Sequence, residues 1–122
     1  MESKGYRDLK VWQRAMELAE EIYRLTDTMP DTERYGLISQ MQRSAVSIAS
    51  NIAEGHSRSH EGDFLKHLSY ARGSLSELET QLTLAVRVNR LHREEAVSAW
   101  AWDLSQEVGK MLTALMRNTG RS

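Results

Sequence analysis

The sequence predicts an all-α protein, an antiparallel up-down-up-down four-helix bundle forming a single domain over residues 1–122. Three observations predict it. The chain has one Pro and seven Gly among abundant Leu, Ala, Glu, Arg and Gln, a composition that favours helix. Four segments carry apolar residues at alternating spacings of three and four, each long enough for a bundle helix, with short polar or Pro/Gly punctuation between them. The third observation is the run 35–53, YGLISQMQRSAVSIASNIA, whose single formal charge is Arg43 in a chain where 27% of residues are charged. A surface helix needs a charged outer face and a membrane helix a greasy one. This run has neither, so it is expected to be enclosed by protein on most sides, as the inner helix of a bundle or of an oligomer.

The first helix is expected over about 8–28. Val11, Ala15, Leu18, Ile22, Leu25 and Met29 form its core stripe, with Trp12, Met16, Ala19 and Tyr23 beside it. Asp8 is the expected N-cap, because a carboxylate can accept the unpaired amides of a first turn. Pro30 ends the helix by pushing the preceding residue out of the α region. The second helix is expected over about 31–54, capped by Asp31 or Thr32, with Glu33 favouring the positive helix end. Its stripe is Ile38, Met41, Ala45, Ile48 and Ile52, and Gly55 is expected to supply a left-handed stop.

The third helix is expected over about 62–89, with Phe64, Leu68, Ala71, Leu75, Leu78, Leu82 and Ala85 in register. The fourth is expected over about 93–117, with Glu94 and Glu95 in its first turn and Val97, Ala101, Leu104, Val108, Met111 and Leu115 on its stripe. Trp100 is assigned to that core stripe. Trp102 points about 200° away from Trp100 by helix geometry and shares a face with Ser98, Ser105 and Gly109. This makes Trp102 a candidate oligomer contact, with a ring lying flat on its own helix as the competing reading. Short turns and the average spacing favour antiparallel neighbours that cross at a shallow, left-handed angle.

Composition excludes several functions. The chain has no cysteine, so disulfides and thiolate metal sites are ruled out. The N-terminus lacks the apolar core of a signal peptide, and no stretch reaches the roughly 18 apolar residues of a membrane span, so a cytoplasmic protein is expected. Sixteen basic residues balance 17 acidic ones, and the balance holds in each quarter of the chain. Phosphate neutralisation supplies most nucleic-acid affinity, so a basic stripe here has to be assembled from several helices or several subunits.

The residues most open to a functional role lie on helices two and three. Gln40, Arg43, Ser47, Asn51 and Glu54 share one face of the second helix, and Tyr70, Ser74, Glu77 and Gln81 form a matching set on the third. Arg43 needs an acidic partner if buried, with Glu77 first and Glu54 and Glu79 behind it. The set Gln40, Arg43, Ser47, Asn51, Glu54, Ser74, Glu77 and Gln81 reads either as a structural polar network fixing register or joining subunits, or as a polar site between helices. His56, His60 and His67 cluster at the second loop with Glu61 and Asp63, where solvation is favoured over a metal. No nucleophile elbow, phosphate loop or H-E-x-x-H motif occurs, so no catalytic residue, cofactor or metal is assigned.

The block Gln40-Met-Gln-Arg43-Ser-Ala-Val-Ser47-Ile-Ala-Ser-Asn51-Ile-Ala-Glu54-Gly55 resembles the signature of the four-helix-bundle proteins encoded in intervening sequences of bacterial 23S ribosomal RNA genes. Asp8-Leu9-Lys10-Val11-Trp12, Pro30 with Glu33-Arg34-Tyr35-Gly36-Leu37, and Gly73-Ser74-Leu75-Ser76-Glu77-Leu78-Glu79-Thr80-Gln81 extend the resemblance over roughly residues 6–116. The resemblance implies a bundle assembling into a ring-shaped homopentamer without catalytic activity. It also implies similarity to the accessory protein of diversity-generating retroelements, a strongly basic pentamer, from which this chain departs in charge. The function expected is thus a non-enzymatic homo-oligomer associating with RNA or a nucleoprotein. The alternative is a protein–protein scaffold without nucleic acid.

Overall fold

A computed structural model describes residues 5–91 and 96–119, with the side chains of 96–99 excepted. Four helices carry the fold: α1 (Lys10–Thr26), α2 (Ser39–His56), α3 (Glu61–Arg87) and α4 (Ala96–Thr119). Each packs on two neighbours in cyclic order, α1 on α2, α2 on α3, α3 on α4 and α4 on α1, which makes an antiparallel four-helix bundle. The α2/α3 seam is the most extensive and the α3/α4 seam the sparsest.

The apolar stripes account for the core. Val11, Ala15, Leu18, Ile22 and Leu25 of α1 are buried, as are Met41, Ala45, Ile48 and Ile52 of α2. Leu68, Ala71, Leu75, Leu78, Leu82 and Ala85 of α3 join them, with Ala101, Leu104, Val108 and Leu112 of α4. Phe64, Met111 and Leu115 are partly buried against this cluster. The side chains of Val97 of the expected stripe and Ser98 of the expected Trp102 face, and the whole of Glu94 and Glu95 of the expected first turn, lie outside what is described.

The helix ends differ from expectation in three places. Asp8 is not the cap of α1. It closes a 3-10 turn over Gly5–Asp8, and Leu9 occupies the cap position without a side-chain hydrogen bond. The segment after Pro30 does not start a regular helix. Asp31–Glu33 is a 3-10 turn and Arg34–Ile38 a π-type turn broken by the non-helical backbone of Gly36 (φ −112°, ψ −108°). Neither Asp31 nor Thr32 caps it, since Pro30 holds that position. Glu33 accepts instead from Arg90, Nε to Oε1 at 3.1 Å, tying this corner to the end of α3.

Gly55 is the third difference. It lies inside α2, is buried, and is not left-handed. A Cβ there would sit 2.5 Å from the Cβ of His67 on α3, so glycine is needed for the close approach of two helices. The left-handed stop belongs to Asn89 at φ 60°, just past α3, where Arg90 N–H donates to Ala85 O at 2.8 Å. Asn tolerates that conformation better than most side chains.

Enclosure of the 35–53 run is not found within one chain. Tyr35, Gln40, Arg43, Val46 and Ser50 are exposed, so α2 presents one apolar face inward and one face with little charge outward. Trp100 is likewise outside the core, 49% exposed, because the α4 stripe runs through Ala101, Leu104, Ser105, Val108 and Leu112.

Candidate functional site

The polar residues expected between α2 and α3 divide into two groups. The close approach at Gly55 and the small residues along α2 bring Ser47, Asn51 and Ser74 together. Ser47 Oγ and Ser74 Oγ are 2.8 Å apart across the seam, and Asn51 Nδ2 donates to Ser47 O at 2.9 Å and to Ser47 Oγ at 3.1 Å. Gln81 is half-buried further along α3, and its Oε1 is enclosed without a hydrogen-bond partner among the described residues.

Gln40, Arg43, Glu54 and Glu77 stand apart from this group. All four are exposed. Within one chain Arg43 pairs with neither Glu77 nor Glu54 nor Glu79, and it makes no ion pair among the described residues. The physical reason is solvation: a charge left in water needs no partner. Arg43 instead borders a groove of about 380 Å³ between α1 and α2, beside Tyr23 and Val46, which are 46% and 44% exposed. Glu54 turns to the loop, accepting from Arg58 at 2.9 Å with His67 Nε2 at 3.7 Å.

Gln42, off the expected stripe, bridges α1 and α2 through its Nε2 to Thr26 Oγ1 at 3.1 Å. At the α1/α4 seam Arg14 is held by two acids, Nη1 to Glu17 at 2.6 Å and Nε to Glu107 of α4 at 3.0 Å. The hydrogen bonds from Arg14 to Glu17 and Glu107, and the nearby charge of the two carboxylates, raise the pKa of its guanidinium above the usual arginine value, so it stays cationic.

The α3/α4 seam holds an arrangement that the sequence reading missed. Its sparse packing leaves a groove of about 500 Å³ that runs on into a second section of about 580 Å³, the two sharing Arg72, Thr113 and Arg117. Lys66, Arg72, Lys110 and Arg117 line these sections, against one carboxylate, Glu79. Glu79 is engaged at one end, accepting from Gln106 Nε2 at 2.7 Å and lying 3.2 Å from Ser105 Oγ. Ser105 is fully buried there and also within 2.9 Å of Trp102 O, so it is a link between α3 and α4. Local charge balance concealed this groove; projecting both helices onto their wheels would have been the way to find it.

The family model for the 23S rRNA-intervening sequence protein matches residues 7–114. The chain belongs to this family. The 23S rRNA-intervening sequence protein fold is also seen in a crystal structure of a protein of unknown function from the S23 ribosomal protein family of Bacteroides thetaiotaomicron. That protein is 25% identical to this chain, with a TM-score of 0.76 over 87% of this chain and 97% of its own. No curated protein matches the chain.

In this family member two of the histidines expected at the second loop have structural partners. His67 Nδ1 lies 2.8 Å from Asp63 O, and the His56 ring meets Phe64 edge-on with centroids 5.5 Å apart. Among the described residues no group of three His, Asp or Glu converges to hold a metal. Trp102 is 42% exposed on α4. No helix among the described residues is long and apolar enough to cross a membrane.

Proposed function

We propose that the chain is a non-catalytic, cytoplasmic bundle that self-associates, as a homopentameric ring, and that the assembled particle associates with RNA. The observation that carries self-association is the outer face of α2. There Arg43 has no partner among the described residues, and Tyr23 and Val46 flank it as an exposed apolar shelf. A run with one charge, Arg43, between Tyr35 and Ala53 suits a helix covered by a neighbouring copy better than one facing water. The family name, 23S rRNA-intervening sequence protein, ties such chains to ribosomal RNA genes, and RNA is the associate that this reading takes. Multi-angle light scattering on the full chain tests the assembly, and a salt-dependent RNA shift assay tests the association. Binding that fails to weaken with added salt, or no binding at all, contradicts the RNA part.

A second reading, a scaffold for another protein without nucleic acid, is favoured by Trp100 and Trp102. Trp102, 42% exposed on α4, is the kind of aromatic anchor that protein contacts use, and Trp100, 49% exposed, offers another on a different face of the helix. Under that reading the Trp102→Ala variant loses a protein partner while RNA binding is absent from the start.

A further inference from the structure

We infer that the α3/α4 groove is a site for the phosphate backbone of base-paired RNA, held by Lys66, Arg72, Lys110 and Arg117. The inference rests on the RNA reading above and names where contact occurs. The acids of the bundle neutralise Arg14, Arg24, Arg58 and Arg90, but none among the described residues pairs with the four groove cations. Lys66 has only the face of Tyr70, with its Nζ 6.0 Å from the ring centroid. The single groove carboxylate, Glu79, is turned toward Ser105 and Gln106 at one end. A chain of balanced charge therefore keeps one strongly cationic groove.

The spacing suits a strand of phosphates. Lys66 and Arg72 are about 9 Å apart along α3, and Lys110 and Arg117 about 10 Å along antiparallel α4, taking 1.5 Å of rise per residue. Three intervals at about the 3.4 Å per-strand charge spacing of duplex DNA fit that length, so it takes four consecutive phosphates of one strand. Ser69, Ser76 and Thr113 add hydroxyl donors to the same walls. Among the described residues no aromatic side chain lines the groove, so it offers no platform for unpaired bases, and contact falls on the backbone. The large apolar side chains that are exposed, such as Tyr23, Val46, Leu84 and Trp102, all lie outside it, leaving an acidic peptide without an anchor pocket.

The test is fluorescence anisotropy of a labelled RNA duplex with the full chain across a salt series. Wild-type binding is expected to weaken with a log–log slope of about −3.6 per chain, from four neutralised phosphates at −0.9 each. Replacing Lys66, Arg72, Lys110 and Arg117 together with Gln is expected to abolish most of that slope and weaken binding at least about tenfold at low salt. Lys110→Gln alone, at an exposed position that leaves the core intact, should flatten the slope by about one. Gln at Arg7, Lys10, Arg34 and Arg87, all exposed and outside the groove, should leave the slope unchanged. If wild type binds RNA and the groove variants retain its slope, the groove assignment is wrong while the RNA reading stands. If wild type binds no RNA, the RNA reading itself falls and the groove assignment with it. Clear preference for a DNA duplex, or for polyglutamate, would overturn RNA as the occupant.

Discussion

Ser47 and Ser74 meet hydroxyl to hydroxyl, 2.8 Å apart, across the most extensive helix seam of the bundle. Asn51 donates to the same Ser47 oxygen, so one serine gathers partners from its own helix and from the next. Ser47→Ala removes this node and leaves Ser74 half-buried without its partner. The expected cost is about 1 kcal/mol, read from urea unfolding, and the Ser47→Ala/Ser74→Ala double variant should cost less than the two singles added. Additive losses would show that the two hydroxyls do not interact.

Gly55 and Gly73 should respond in opposite directions to alanine. At Gly55 the new Cβ would lie 2.5 Å from His67 Cβ, and the helices must part to admit it. Gly55→Ala is expected to destabilise by about 1–3 kcal/mol. Nothing lies within 4 Å of a Cβ at Gly73, exposed in the middle of α3, so Gly73→Ala should stabilise by about 0.5–1 kcal/mol through helix propensity. Thermal unfolding monitored by circular dichroism separates the two signs.

Asn89 closes α3 at φ 60°, a conformation that β-branched residues resist. Asn89→Val should cost about 1–2 kcal/mol, while Asn89→Gly should be neutral or mildly stabilising. Equal stability for all three residues would mean that the helix ends elsewhere in solution.

Arg43 separates folding from assembly. It is exposed in the single chain, so Arg43→Ala should change unfolding free energy by no more than about 0.5 kcal/mol under conditions that keep the chain monomeric. The same substitution should lower the assembled mass if the α2 face is covered by a second copy. A large stability loss in the monomer would place a partner for Arg43 inside the bundle.

Much of the bundle was legible in the sequence, for a physical reason. Leu18, Ile22, Ile48, Leu78 and Leu104 sit on stripes whose period can only be buried by helices packed side by side. Gly55 was misread because glycine marks both helix stops and close helix approaches, and only the partner, His67, tells them apart. Trp100 was added to a stripe that already ran through Ala101, and the seam takes the small Ala101 side chain while leaving the indole ring outside. In the polar set, Ser47, Asn51 and Ser74 were placed together by periodicity. Arg43 and Glu77 share the same faces but are long and solvated, which spacing cannot reveal. Lys66, Arg72, Lys110 and Arg117 escaped notice because the groove joins two helices whose acids and bases balance within each segment.

We propose self-assembly of identical bundles as the working state of this family member. Its most direct test is the mass of the full chain in solution by light scattering at micromolar concentration. A single species at five times the 14.0 kDa chain mass is expected, and a species at 14.0 kDa would rule the assembly out.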